Sequence, residues 1–458
     1  MALSRRELLT RGGAAGLGIA LAGSVDTIFG AGPASAAPRP YGGYGPLVAD
    51  PAGVLDLPQG FRYTILSREG DLLSTGGRVP GKHDGMATFD AGHGRTALVR
   101  NHEQGSSAAF STVDAAPASH VYDPKATGGT STLLVGPGNE LLADRVSLAG
   151  TATNCAGGRT PWGTWITCEE TEAMAGSVYT KDHGWNFEVD PFDEGRNADP
   201  TPLVAMGRFP GEAVAIDPQT GTVYQTEDAS GPFGLLYRFV PNEPLGGYGS
   251  LRAGGALSAM RVPGVDDLST VTVAGTSFRG ITWRPVRNPS AVAVSSSGVR
   301  VQDRIRSQFA PTGEVTRSQK LEGAWWGDDS LFFVVSFNRP RPGFPAHNGQ
   351  VWKYTPAADT LSLELYFSAG QGKYDSPDNI TVSPYGGGVI LAEDGDGEQY
   401  LVGTTADKQP FDLARNALDD PSEFAGVTFS DDGKTLFANI QTPGITLAIT
   451  GPWTRKNV

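Results

Sequence analysis

A hairpin-sized unit recurs six times along this chain, and it restricts the fold more than any other feature of the sequence. Each copy begins near an acid or cysteine, continues through a short strand, a turn and a second strand, and ends in another acid or amide about fifteen positions later. The copies are DGMATFDAGHGRTALVRNHE from Asp84, NCAGGRTPWGTWITCEE from Asn154, GEAVAIDPQTGTVYQTED from Gly211, EGAWWGDDSLFFVVSFN from Glu322, PDNITVSPYGGGVILAED from Pro377 and EFAGVTFSDDGKTLFANIQ from Glu423. Turns such as DPQTG and SDDGK are typical of tight β-hairpins.

Six hairpins spaced by about 45 to 110 residues predict a single six-bladed β-propeller with loop insertions. Further apolar strands follow several copies, as in GLLYRFV and EQYLVGT, so we expect about four strands per blade. The chain has 62 glycines and 33 prolines without any regular period, which favours many tight turns and excludes collagen. The fold class is therefore all-β, with the propeller covering residues 37–458.

The two ends of a hairpin lie at the same edge of a sheet. If the hairpins line the central channel, the marked residues of all six copies converge on one channel mouth. Most of these residues are Asp, Glu, Asn or Cys, and carboxylates packed so closely repel one another unless cations neutralise them. The repeat therefore predicts a metal cluster at this mouth, although Asp and Glu are also common at strand ends without any metal.

The types of the candidate ligands limit which metal ions the site could bind. Carboxylate and amide oxygens suit Ca²⁺, whereas a thiolate among them indicates a transition metal, with iron and zinc as the candidates. Zinc sites usually include histidine, and the chain has only six. We interpret His83 and His102, which lie near acidic positions, as hydrogen-bonding residues rather than ligands.

The first 36 residues form a targeting segment. Arg5 and Arg6 precede the apolar run GGAAGLGIALAGSV, and Ala34-Ser35-Ala36 is a small-x-small cleavage site. This pattern is typical of a Tat signal, so we expect Tat export to an extracellular, cell-wall-associated or periplasmic location. Asp26 interrupts the apolar run, and we expect no stable membrane insertion.

Charge and cysteine content exclude some partners and leave one question open. The net charge of −13 disfavours binding to nucleic acid and to anionic membranes.

Cys155 and Cys168 are the two cysteines. Tat substrates fold in a reducing compartment, which favours free thiols, but the residues alone leave a disulfide and a metal thiolate at Cys155 both open.

Several of these segments closely resemble the PhoX-type alkaline phosphatases of bacteria. They are NCAGGRTPWGTWITCEE, RNHE, GRFPGEAVAIDPQTGTVYQTED, SPDNI and SEFAGVTFSDDGKTLFANIQTPG. The resemblance extends from about Asp84 to Pro452. It implies a Tat-exported monomeric propeller that uses ferric iron and calcium to release phosphate from small phosphate monoesters.

The resemblance also implies roles for particular residues. Cys155 is expected to be the iron-binding thiolate, with Glu170 in the same cluster, while Glu169 competes with Glu170 because neighbours on a strand point to opposite faces. The further expected metal ligands are Glu212, Glu322, Asp378, Glu103, Glu227, Glu393, Asp394 and Glu423.

The chain departs from the family pattern at one catalytic position. An arginine two residues before the glutamate of the fourth unit is expected to bind the substrate phosphate, but Lys320 stands two residues before Glu322. We therefore assign Lys320 and Glu322 as catalytic residues, with Arg317 as the alternative cation. Lysine supplies the charge without the bidentate geometry of arginine.

Two other functions are compatible with the sequence. One is a different calcium-dependent propeller hydrolase, phytase-like or lactonase-like, in which Cys155 would be a buried structural thiol. The other is a non-catalytic secreted propeller. Iron content distinguishes the first from a PhoX-type enzyme, and turnover of a phosphate ester distinguishes the second.

Overall fold

Short strands separated by Gly-, Pro- and Asp-rich turns dominate the chain. The computed structural model describes residues 43–453 apart from positions 371, 387 and 420. The predicted signal segment, residues 1–36, lies outside the described residues. Within the described part, no helix is long and apolar enough to cross a membrane.

Six antiparallel sheets form the blades of a propeller, and in each the repeated hairpin begins with the innermost strand. The first three blades contain β4 (His83–Asp90), β5 (Thr96–His102), β6 (Gly128–Val135) and β7 (Leu141–Thr151); β8 (Asn154–Arg159), β9 (Trp165–Glu169) and β10 (Asn186–Val189); and β11 (Gly211–Ile216), β12 (Val223–Glu227), β13 (Gly234–Pro241), β14 (Gly255–Arg261) and β16 (Thr282–Pro285), with β19 (Arg317–Ser318) paired to β13.

The remaining three blades complete the ring. They contain β20 (Leu321–Gly327), β21 (Ser330–Val335), β22 (His347–Thr355), β23 (Thr360–Ser368) and β15 (Ser277–Arg279); β24 (Pro377–Val382), β25 (Val389–Glu393), β26 (Tyr400–Thr404), β27 (Pro410–Asn416), β2 (Leu55–Pro58) and β1 (Leu47–Val48); and β28 (Phe424–Phe429), β29 (Thr435–Ile440), β30 (Ile445–Thr450) and β3 (Arg62–Arg68). Each innermost strand contacts the next, and β28 contacts β4. The predicted six-bladed propeller is confirmed.

The ring is closed by strands from both ends of the chain. β3 pairs with β30 in the sixth blade, so that Arg62 lies opposite Thr450 and Tyr63 opposite Ile449. β2 likewise adds to β27 of the fifth blade, where Arg415 forms an ion pair with the buried Asp56. β3 precedes β4 of the first blade in the chain, and its backbone hydrogen bonds attach it to β30 of the sixth blade. This pairing therefore joins the first blade to the sixth.

The predicted loop insertions are present, and they contain the other elements. Two short helices, six 3-10 turns and one separate hairpin are found among the described residues: α1 (Thr112–Ala115), α2 (Glu194–Asn197), Ala118–His120, Val204–Met206, Ser250–Ala253, Leu268–Thr270, Ile305–Gln308, Pro356–Ala358, and β17 (Val292–Val294) with β18 (Arg300–Gln302). The second blade has three strands rather than the expected four, because the chain leaves β10 into the segment that contains α2.

The hydrophobic core is divided among the junctions between blades. Ala87 and Phe89 of the first blade pack with Trp165 and Phe187 of the second, and comparable clusters fill the other junctions. Full burial of a large apolar side chain stabilises a fold by about 1.5–3 kcal/mol. These layers hold the innermost strands at fixed positions around the channel.

Candidate metal centre

Every innermost strand contains a β-bulge near its first residues. The ladder between β11 and β12 shifts register between Gly211 and Val214, and the other five innermost pairs shift at corresponding places. In the first five blades the shifts enclose Asp84, Cys155, Glu212, Glu322 and Asp378, respectively. Because a bulge takes a residue out of the ladder and redirects its side chain, it lets these residues converge at the channel mouth.

Glycine or alanine follows four of the five bulged residues, because the innermost strands approach one another closely. A Cβ added to Gly323 would lie 2.5 Å from the carbonyl oxygen of Asp378, and one added to Gly85 would lie 2.4 Å from the Cα of Ala156. The corresponding residues after Cys155 and Glu212 are alanines. The close packing brings side chains of neighbouring blades within reach of one another.

The residue two positions before the bulged residue has a left-handed backbone in four blades. These residues are Lys82 (φ 51°), Thr153 (φ 50°), Lys320 (φ 53°) and Ser376 (φ 45°). Positive φ is unfavourable for residues other than glycine and is retained only where the surrounding structure imposes it. The repetition shows that the chain enters these blades through one common backbone conformation.

In four of the six blades, the far end of the hairpin carries two adjacent polar residues with different roles. His102, Glu169, Glu227 and Glu393 are the last residues of their strands and pair across the ladder with the residue before the bulge. The residues that follow them are Glu103, Glu170, Asp228 and Asp394. Since successive side chains of a strand point to opposite faces, only the second residue of each pair is directed to the channel mouth.

The glutamates that end the strands satisfy buried polar groups instead. The Glu169 carboxylate accepts hydrogen bonds from the backbone N–H groups of Ala152, Gly184 and Trp185, and it lies 2.6 Å from Nδ1 of His183. Glu170 is therefore the residue of this pair at the mouth.

Glu227 and Glu393 have comparable positions in their own blades. Glu227 accepts from the Tyr237 hydroxyl and forms a buried ion pair with Arg306 at 2.8 Å. Glu393 accepts from the backbone N–H groups of Asp375 and Tyr400. Both were expected at the metal centre, but the structure places them behind it, because the strand alternation turns them away from the mouth.

The residues at the mouth form what we call the acidic cluster. It consists of Asp84, Glu103, Cys155, Glu170, Glu212, Asp228, Glu322, Asp378, Asp394 and Glu423. Three groups within it have potential ligand atoms all within 4.8 Å of one another: Glu103–Cys155–Glu170, Glu212–Glu322–Asp378 and Asp378–Asp394–Glu423. Asp378 belongs to two groups, so the second and third sites are contiguous.

Burial and mutual repulsion shape the electrostatics of the acidic cluster. Burial is the main cause that raises the pKa of Glu212 well above its usual value, and neighbouring Asp378 and Glu322 raise it further. The pKa of Glu423 is raised to about 11, by burial first and then by Asp394 and Asp84. Burial followed by Glu170 and Glu212 raises the pKa of the Cys155 thiol. Cations would remove this repulsion, so the donor atoms and their charge both fit metal binding.

Lys320 lies inside the cluster. Its Nζ is 2.6 Å from Oε1 of Glu322 and 2.6 Å from Oδ2 of Asp228, and these carboxylates raise the pKa of Lys320 against the opposing effect of burial. Arg317 is buried, and its guanidinium donates to the backbone carbonyls of Phe233 and Arg306. Of the two cations considered from the sequence, only Lys320 therefore faces the acidic cluster.

Eight of the ten metal ligands expected from the sequence come together, while Glu227 and Glu393 do not. Sequence reasoning gave no ligand role to Asp84 or Asp228. Both could have been found from the repeat, because Asp84 occupies the position of Cys155 and Glu212, and Asp228 that of Glu170.

The cysteines and histidines have distinct environments. Cys155 and Cys168 are both free and buried, so the structure contradicts a disulfide between them. Cys168 packs in the apolar junction between the second and third blades. His102 bonds to the Gly81 carbonyl and the Ser131 hydroxyl, and His83 lies 3.0 Å from the Pro80 carbonyl, as expected for hydrogen-bonding residues.

Comparison with known proteins identifies a family whose sequence model matches this chain. A family model described as alkaline phosphatase PhoX matches residues 42–444. PhoX of Pseudomonas fluorescens, solved in complex with vanadate, a transition state analogue, is 19% identical with a TM-score of 0.67; the match covers 90% of this chain and 98% of that one. A gluconolactonase from Xanthomonas campestris is 11% identical with a TM-score of 0.42, covering 89% and 98%. No curated protein matches the chain in sequence.

Proposed function

The chain belongs to the PhoX alkaline phosphatase family, and from this membership we propose how its acidic cluster serves the hydrolysis of phosphate monoesters. The observation that carries the proposal is the convergence of three ligand groups on one mouth of the propeller. A family of metal-dependent phosphatases requires such a site, and the innermost strands supply it through their bulges.

We propose that iron(III) binds at Glu103, Cys155 and Glu170, and that calcium binds at the all-oxygen groups. A thiolate with two carboxylates suits a transition metal, whereas carboxylates alone suit Ca²⁺. The calcium ligands would be Glu212, Glu322, Asp378, Asp394 and Glu423. When bound, these ions supply positive charge and Lewis acidity for the phosphoryl group.

The side chains around the ions bind and orient the ester. Lys320 uses two of its three N–H donors on Glu322 and Asp228, which fixes its ammonium group and leaves one donor for a phosphoryl oxygen. Glu322 thereby positions Lys320 in addition to its role as a ligand. Charge-assisted hydrogen bonds of this kind stabilise the charge that develops during phosphoryl transfer.

The channel beneath the cluster restricts access. Its walls include Met86, Trp165, Trp325 and Asn379, and the space between them is about as large as a single water molecule. A phosphate ester therefore reaches the acidic cluster from the mouth and not through the propeller.

We further propose that the mature protein, residues 37–458, is a monomer exported through the Tat machinery. Exported phosphatases are typical of this family, and Arg5 and Arg6 supply the pattern that the Tat machinery reads. Folding before export would allow the metal centre to be assembled in the cytoplasm.

Metal analysis and an ester assay on one preparation of residues 37–458 test the function. We expect iron and calcium in the purified protein, a visible colour from the ferric thiolate, and turnover of a chromogenic phosphate monoester that chelation abolishes. A colourless, iron-free preparation with full activity would contradict the iron site. A fully metal-loaded preparation without ester turnover would contradict phosphatase function.

A further inference from the structure

We propose that Lys82 is a second phosphate-binding residue, which faces Lys320 from the opposite side of the channel mouth. The inference rests on the proposed function, since it assumes that the mouth receives phosphate monoesters. It adds a substrate-binding residue at the start of the first blade. The sequence analysis assigned no role to this lysine.

Lys82 and Lys320 occupy equivalent positions in the repeat. Each stands two residues before a bulged acid, Asp84 or Glu322, and their φ angles of 51° and 53° are nearly the same. The first and fourth blades are three places apart in a ring of six, so they lie opposite one another. The fold thus presents two lysines in the same local backbone conformation from opposite sides.

Hydrogen bonds attach Lys82 to the rim of the acidic cluster. Its Nζ donates to Oε1 of Gln441 at 2.6 Å, and Nε2 of Gln441 donates to Glu103 at 2.8 Å and to Asp84 at 3.2 Å. The backbone N–H of Glu103 donates to the carbonyl of Lys82. The ammonium group is therefore held one amide away from two members of the cluster.

The charges of both lysines act on the same carboxyl group. Burial raises the pKa of Glu103, and the positive charges of Lys82 and Lys320 both oppose that rise. Lys82 acts in the same way on Glu69, whose pKa burial also raises. A phosphate bound beside Glu103 would therefore lie within the field of both ammonium groups.

The two lysines differ in how far their charge is already compensated. Lys320 lies 2.6 Å from each of two carboxylates, whereas Lys82 is exposed and donates to a neutral amide. Within the described part of the chain, no carboxylate forms an ion pair with Lys82. Two of its N–H donors remain for a ligand, so this ammonium group is available to bind a dianion such as a phosphate monoester or inorganic phosphate.

The test is calorimetric binding of inorganic phosphate to the metal-loaded protein, with metal content measured on the same samples. Lys82→Met keeps the length of the side chain and removes its charge, and we expect it to weaken phosphate binding about tenfold without loss of iron or calcium. Lys82→Arg restores the charge and should bind within about threefold of wild type.

Lys434→Met is the matched control for net charge. Lys434 is 79% exposed and lies in the turn between β28 and β29, at the end of the sixth blade away from the mouth. Phosphate affinity should be unchanged in this variant. The inference would be overturned if Lys82→Met bound phosphate as wild type does, or if it bound weakly only because metal was lost. A wild-type protein that is metal-loaded but neither binds phosphate nor hydrolyses esters would instead overturn the proposed function, and this inference with it.

Discussion

Sγ of Cys155 lies 2.7 Å from Oε2 of Glu170, so one hairpin supplies both residues to the metal centre. Cys155 is the bulged residue of β8, and Glu170 directly follows β9. Without a cation, the thiol donates a hydrogen bond to the carboxylate, and burial raises the pKa of the Glu170 carboxyl well above its usual value. A metal ion would replace that proton and hold both groups in their charged forms.

The thiol provides the most direct test of the iron site. We expect Cys155→Ser to lose most of its iron and its visible absorption, and to lower kcat/KM at least about a hundredfold, because a hydroxyl is a poor substitute for a thiolate ligand. Cys168→Ala is the matched control, since Cys168 is buried in an apolar junction away from the cluster. It should keep its iron and colour. Equal iron content in wild type and Cys155→Ser would contradict the assignment.

The neighbours Glu169 and Glu170 should show opposite mutational effects. Glu169→Gln disrupts a fully buried network with His183 and three backbone N–H groups, so we expect a loss of about 3–5 kcal/mol in the free energy of unfolding. Glu170→Gln removes a repelling carboxyl and should leave the stability of the metal-free protein unchanged or higher, while metal content falls. Denaturation and metal analysis of both variants would decide; the reverse pattern would show that Glu169 is the ligand.

Lys320 should affect turnover rather than metal binding. A hydrogen bond to a charged group contributes about 1.5–3 kcal/mol, so Lys320→Ala should lower kcat/KM about ten- to a hundredfold with metal content retained. Lys320→Arg should be tolerated, because arginine keeps the charge and adds a second donor.

Arg317→Ala separates this role from a structural one. Within the described residues, its guanidinium hydrogen-bonds only to backbone carbonyls, so the variant should be less stable and yet retain the KM of wild type in its folded fraction. Normal kinetics in Lys320→Ala would show that this lysine does not contact the substrate.

The metal-free protein should become less stable as pH rises. A carboxyl whose pKa is higher in the folded than in the unfolded state binds more protons when folded, so the free energy of unfolding falls with pH. For Glu423 this fall begins near the ordinary value of 4.5 and continues to about 11. Burial likewise raises the pKa of Glu393, to about 8.

Thermal denaturation of the chelated protein at pH 6 and pH 9 measures this effect. We expect a lower Tm at pH 9, and we expect added Ca²⁺ to reverse most of the loss, because it neutralises the charged carboxylates. Equal Tm values at the two pH values without metal would contradict the raised pKa values of the acidic cluster.

The sequence by itself determined the architecture and the edge at which the polar residues collect. Hairpin units with turn residues between their strands predict blades, and the two ends of a hairpin share one edge whatever lies between the copies. Cys155, Glu212, Glu322 and Asp378 were identified in this way, and the bulges that expose them do not alter that edge.

Only the tertiary structure decided which residue of each terminal pair faces the channel. Asp228 lies at the mouth and Glu227 behind it, because a shift of one residue in strand register exchanges the two faces, and repeat spacing does not specify register to one residue. Contacts between blades could not be predicted from the sequence either. Lys320 meets Asp228 across 92 positions, and β3 closes the sixth blade from the far end of the chain. Such pairs form because the blades pack against one another in a ring, and no local sequence pattern specifies that packing.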